Sequence, residues 1–261
     1  MNWVQMVAVF VAVVGLFSSS WAQGLDDVFN RIATLVLSTT SKGTGQGTAF
    51  FYQQLEPPKL RTQQPQWRGI EKVWLVTNRH VLVPKFDGQE LFPSSITFYL
   101  RRIKDDQIQW DPVTLSNEEV RKRARFHEDH DVDVCLLDIS DILIEKGKAG
   151  NLVPWYGLSS ENFVGNNKIS VEAGDDILVI GFPRGFYDDL HLFPIIKAGI
   201  IASRWGVPFR GKPFFLIDAK LFPGSSGSLV ISKPREFVIE KNQIFTGCCP
   251  NGAWNHGNRS I

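Results

Sequence analysis

Hydrophobic positions along this chain fall mostly in short runs or at alternate residues, separated by clusters of Gly, Pro, Asn and Asp. A period of two with turn residues between the runs predicts strands, and no sustained helical period competes with it. One short segment differs. Leu25, Val28, Phe29 and Ile32 have helical spacing, so residues 25–32 should form an amphipathic helix packed on the strands. Residues 33–38 and 48–52 read as a hairpin around a glycine-rich turn. Residues 73–76, 95–102 and 133–139 supply further strands, and so do 169–171, 177–182, 195–203, 214–220 and 228–231. Residues 53–69, rich in Gln and Pro, read as a surface insertion beside any substrate cleft. The chain is therefore expected to be all-β.

Three of these apolar runs carry a reactive residue type: Thr77-Asn78-Arg79-His80-Val81, Asp131-Val132-Asp133-Val134-Cys135, and Phe222-Pro223-Gly224-Ser225-Ser226-Gly227-Ser228. A serine hydroxyl is a weak nucleophile near neutral pH. It needs a neighbouring base with a free pKa of about 6.5 and a buried carboxylate that fixes the tautomer of that base. The order His, Asp, Ser along the chain is one of the known orders for such a set. Asp131 competes with Asp133, since residues two apart on a strand share a face. Ser225 and Ser228 compete with Ser226. Gly224 permits the tight turn that aims backbone NH groups at a developing oxyanion.

These motifs, with Gly45-Gln46-Gly47-Thr48-Ala49, Gly181-Phe182-Pro183 and Ile217-Asp218-Ala219-Lys220, resemble the trypsin-like (chymotrypsin-fold) serine proteases, and within them the bacterial Deg-type peptidase domains. The resemblance runs from about residue 33 to 231. It implies two antiparallel β-barrels, about 33–149 and 164–247, joined by residues 150–163, with the active cleft between them. It also implies His80 as general base, Asp133 as its orienting acid and Ser226 as nucleophile, with the NH groups of Gly224 and Ser226 as oxyanion hole. The resemblance puts Lys220, six before the serine, at the base of the specificity pocket, with Leu221 next. A buried lysine there would favour acidic side chains, whereas a lysine turned outward would leave an apolar pocket for small aliphatic ones. Ser225 stands where digestive members carry an acid, and no activation-cleavage start is present, which implies activity without zymogen processing. After Ser228 only residues 237–245 look strand-like, so the second barrel is expected to be incomplete before an irregular tail at 248–261. No PDZ module is expected to follow.

The remaining features set the context. Residues 6–17 are almost wholly apolar and Ser20 and Ala22 are small, which reads as a signal peptide cleaved after residue 22 and a secreted or periplasmic product. About 20 apolar residues are needed to span a bilayer, so no stable span is expected, although the absence of Lys and Arg before the apolar run keeps an uncleaved tether open. A net charge of +1 gives no reason to expect nucleic acid as partner, and the resemblance implies polypeptide substrates. The basic run 121–125 reads as a solvated loop. Three cysteines give no disulfide framework; Cys135 reads as a small core residue, and Cys248 and Cys249 are adjacent near the C-terminus. No cofactor or metal is expected, although the polar run 127–131 contains ligand types. An endopeptidase is the leading reading, with a catalytically silent binding protein of the same fold and a metal-binding β-protein as alternatives.

Overall fold

The computed structural model describes residues 25–57, 68–105, 107–150, 152–164, 170–233, 237–240 and 243–246. The proposed signal peptide, much of the insertion, residue 169, both C-terminal cysteines and the tail 248–261 lie outside them. Helix α1 (Leu25–Ile32) buries Phe29 and Ile32, as its spacing predicts, and continues directly into strand β1 (Ala33–Thr40). Strand β2 (Gly43–Leu55) returns antiparallel to it. This hairpin is longer than the sequence suggested. Glycines that read as a turn lie inside the ladder, with Gly45 opposite Ser38 and Gly47 opposite Val36. Gly47 is required there by packing, because a Cβ would sit 2.6 Å from the Val81 side chain.

Strand β3 (Ile70–Thr77) leads into the one-turn helix α2 (Arg79–Leu82), then a small hairpin of β4 (Lys85–Phe86) and β5 (Gln89–Glu90). A long hairpin follows, β6 (Ser95–Lys104) with β7 (Gln107–Ser116). Helix α3 (Asn117–Arg123) replaces most of the expected basic loop. Ser116 and Glu119 form a reciprocal capping box at its start, and Arg121, Lys122 and Arg123 occupy the last turn, where the helix dipole favours cations. Strands β8 (Ala124–Phe126) and β9 (Cys135–Asp138) and helix α4 (Ser140–Lys148) complete this half. Its sheet runs β7-β6-β1-β2-β3-β9-β8, every ladder antiparallel.

Past a 3-10 turn (Ser160–Asn162), the second half holds β10 (Asp176–Gly181), β11 (Ile195–Ile201), β12 (Ile217–Ala219) and β13 (Leu229–Ser232), in the order β12-β11-β10-β13. Among the described residues, strands β14 (Phe237–Glu240) and β15 (Gln243–Thr246) pair with each other alone. The architecture is the antiparallel double-barrel type expected, but among the described residues neither sheet closes on itself through hydrogen bonds, and the second has the fewer strands. Three apolar clusters hold it. One fills the first half around Phe98, Leu75 and Leu137. A second joins the halves, with Phe29, Ile32, Phe50 and Val76 meeting Ile180, Phe182 and Leu229. A smaller third packs Val171, Ile177, Val179, Ile201 and Val230.

Candidate active site

Strand β3 ends at Thr77, and buried Val81 and Leu82 pin the following turn of helix to the core, which leaves His80 projecting at 44% side-chain exposure. Thr77 lies opposite Cys135 on β9. The acid strand begins at Cys135 rather than at residue 133. Asp133 therefore precedes the ladder and turns back to the base: the His80 backbone NH donates to Oδ1 at 3.0 Å, and Oδ2 is 2.5 Å from His80 Nδ1. On its other side His80 Nε2 is 2.8 Å from Ser226 Oγ. The carboxylate retains 24% exposure, more than a fully buried acid would, because it sits in a loop.

The rival residues face elsewhere. The Asp131 carboxylate is 3.3 Å from Lys212 Nζ. Ser225 is buried, its Oγ accepting from the Phe222 NH at 3.4 Å. Ser228 Oγ is buried with no hydrogen-bond partner among the described residues and packs against Gly181, where a Cβ would come within 1.9 Å of it.

The Ser226 turn is held by backbone bonds, Ser225 NH to Phe222 C=O and Ser228 NH to Ser225 C=O, both 3.0 Å. Gly224 and Gly227 have φ of +87° and +81°. A Cβ on Gly227 would lie 2.0 Å from Thr48 O, so only glycine fits between the turn and β2. The Arg184 NH donates to Pro223 C=O at 2.7 Å, which turns that carbonyl away and leaves the Gly224 NH pointing to the opposite side of the peptide. Neither the Gly224 NH nor the Ser226 NH donates to another described residue.

Several residues at this site were not singled out from sequence. Thr48 donates its backbone NH to Ser226 C=O at 2.8 Å and takes the Phe182 NH on its hydroxyl at 2.8 Å. Gln46 Nε2 donates to Phe182 C=O at 3.0 Å, and Thr77 Oγ1 to Thr48 C=O at 2.6 Å. Asn78 bridges Asp133 and Gly227. The available signal was a polar side chain at the buried end of an apolar strand, where an unpaired polar group is costly.

The Cys135 thiol is buried and donates to the carbonyls of Asn78 and Thr77 at 3.5 and 3.7 Å. Burial first, and then the negative charge of Asp133, push its pKa well above the ordinary thiol range. Lys220 is exposed, 5.8 Å from the centre of the Phe222 ring, while Leu221 packs against the third cluster. Lys197 Nζ sits 3.6 Å over the same ring, and its pKa is lowered by desolvation and then by the charge of Lys220. In the polar run 127–131, the Asp129 NH donates to His127 Nδ1 at 3.1 Å and the Asp131 NH to Asp129 Oδ1 at 2.9 Å. Among the described residues no group of three or more His, Cys, Asp or Glu is arranged to hold a metal, and no helix is long and apolar enough to cross a membrane.

The model of the trypsin-like peptidase domain matches residues 63–238, which include His80, Asp133 and Ser226. The chain belongs to this family. No curated protein sequence matches it. Among solved structures, it is similar to a serine endoprotease from Yersinia pestis, at 17% identity and a TM-score of 0.41 over 82% of this chain, and it spans 55% of that protein. It is also similar to an inactive Ser343Ala form of Rv3671c from M. tuberculosis, at 17% identity and a TM-score of 0.37 over 84% of this chain and 83% of that one. A third likeness is to an inactivated protease paralogue of the scabies mite, at 14% identity and a TM-score of 0.39 over 83% of this chain and 87% of that one.

Proposed function

We propose that this family member is an exported serine endopeptidase that hydrolyses peptide bonds through an acyl-enzyme. The observation that carries the reading is the hydrogen-bonded line from Asp133 Oδ2 through His80 to Ser226 Oγ, at 2.5 and 2.8 Å. In the proposed cycle His80 Nε2 takes the Ser226 proton as Oγ attacks the peptide carbonyl, then gives that proton to the leaving amine. A water activated by the same nitrogen releases the acyl group. Asp133 holds Nδ1–H and stabilises the imidazolium. The NH groups of Gly224 and Ser226, with no partner among the described residues, are free to receive the oxyanion.

Labelling with a fluorophosphonate probe tests this directly. The wild type should be modified at Ser226 and Ser226→Ala should not. Export rests on the apolar leader, and an N-terminus at Gln23 in secreted or periplasmic protein is the corresponding expectation. A second reading, a silent binding protein of the same fold, is favoured by one feature: among the described residues β14 and β15 pair with each other and not with the second sheet. An unlabelled wild type that binds extended peptides without cleaving them would favour it.

A further inference from the structure

We propose that Asn78 is a positioning residue that sets the register of all three catalytic segments, an inference that rests on the peptidase reading. Asn78 stands two residues before His80, at the N-cap of the turn that carries the base. Its side chain makes no capping bond to that turn. The carboxamide reaches outward instead: Nδ2 donates to the Asp133 backbone carbonyl at 2.7 Å, and Oδ1 accepts the Gly227 NH at 2.5 Å. One planar group thus spans the base, the residue carrying the acid and the residue following the nucleophile, and it is 1% exposed.

Both partners depend on this bridge for reasons of local structure. Asp133 lies in the loop before β9, outside any ladder, so its backbone is not fixed by strand pairing. Gly227 is in a left-handed conformation with no room for a side chain against Thr48, and the Asn78 bond ties this turn to the segment that carries His80. An amide suits the task because it offers a donor and an acceptor on one rigid plane. Aspartate presents the same outline without the donor, and leucine similar bulk without either.

The geometry at stake is the in-line approach of Ser226 Oγ to His80 Nε2. A misplacement of about 1 Å at such a site costs on the order of 10²-fold in rate. Asn78→Leu should therefore lower kcat and the rate of fluorophosphonate labelling by about 10²-fold, with KM for a peptide substrate little changed. Asn78→Asp, which keeps the Gly227 bond, should retain more activity than Asn78→Leu. Leu143→Ala in helix α4, away from the site, serves as a control for loss of stability alone, and should keep kcat at temperatures where it stays folded. A proton resonance of the His80 Nδ1–H···Asp133 bond gives a readout independent of turnover: present in wild type, it should shift or vanish in Asn78→Leu while persisting in Leu143→Ala. An unchanged resonance, or a kcat in Asn78→Leu equal to that of the control, would overturn the proposal. If the wild type does not label at all, the peptidase reading fails, and the resonance alone then decides whether Asn78 positions the pair.

Discussion

The two halves contribute unequally to one site. The first half supplies His80 and Asp133 from a seven-stranded sheet braced by α3 and α4, over a core that includes Phe98, Leu75 and Leu137. The second supplies Ser226 from the turn before β13, in a four-stranded sheet whose own cluster is small. The Ser226 turn is nevertheless tied across the boundary, by Thr48 to Ser226 and by Asn78 to Gly227. Precision at Ser226 thus comes largely from the opposite half. A half with a small core can hold a side chain accurately if its neighbour makes the hydrogen bonds.

The comparison breaks first on chemistry. Ser226→Ala and His80→Ala, one from each half, should each lower kcat by about 10⁶-fold, and the double variant should be no worse, because base and nucleophile act as one unit. Additive losses in the double variant would mean that the two halves do not work together. Asp133→Asn should cost about 10⁴-fold through the wrong histidine tautomer, whereas Asp131→Asn, which only releases Lys212, should leave kcat near wild type. The reverse ranking would reassign the acid.

Stability should separate the halves next. Phe98→Ala removes a fully buried ring from the first core and should cost about 3–5 kcal/mol, read by denaturant unfolding. Native-state hydrogen exchange should find the β1, β2 and β3 amides opening only with global unfolding, while β10 to β13 exchange through a lower-energy local opening. Equal protection in both sheets would remove the asymmetry.

How far the sequence revealed this arrangement depended on the range of the interactions. The meeting of His80, Asp133 and Ser226 was legible because each stands beside an apolar run within a short local motif. Helix α1 was legible from its spacing. Helix α3 was missed because its basic residues dominated the reading, although Ser116 and Glu119 carry a local capping signature. Strand β7 was missed because it is half-exposed and carries Pro112 and Asp111, which suppress a strand pattern. The partners of Thr48 and Asn78 could not be read, since Ser226 and Gly227 lie about 150 positions or more away, and only the folded chain brings them together.

The smallest expected effect concerns the brace on the first half. Arg123 forks onto Asp141 at 2.5 and 2.8 Å, joining α3 to α4. The Arg123 hydrogen bonds hold the Asp141 carboxyl below its ordinary pKa. A depressed carboxyl adds stability that is fully present above the unfolded value near ~3.9 and is lost as pH falls through the folded value. Asp141 is largely exposed, so the difference between wild type and Asp141→Asn should be only about 0.2–1 kcal/mol at neutral pH. It should shrink toward zero in acid. A difference in Tm that grows on acidification would contradict this sign.

Cys135 lies directly behind the joint between base strand and acid strand, and its burial has a chemical corollary. Alkylating and oxidising reagents attack the thiolate, and burial suppresses that form here while also blocking access. The native protein should therefore leave this sulfur unmodified, and iodoacetamide should reach it only when the β3–β9 seam parts. Its rate of carboxymethylation becomes a clock for that opening, recorded by mass at a single position two residues from Asp133.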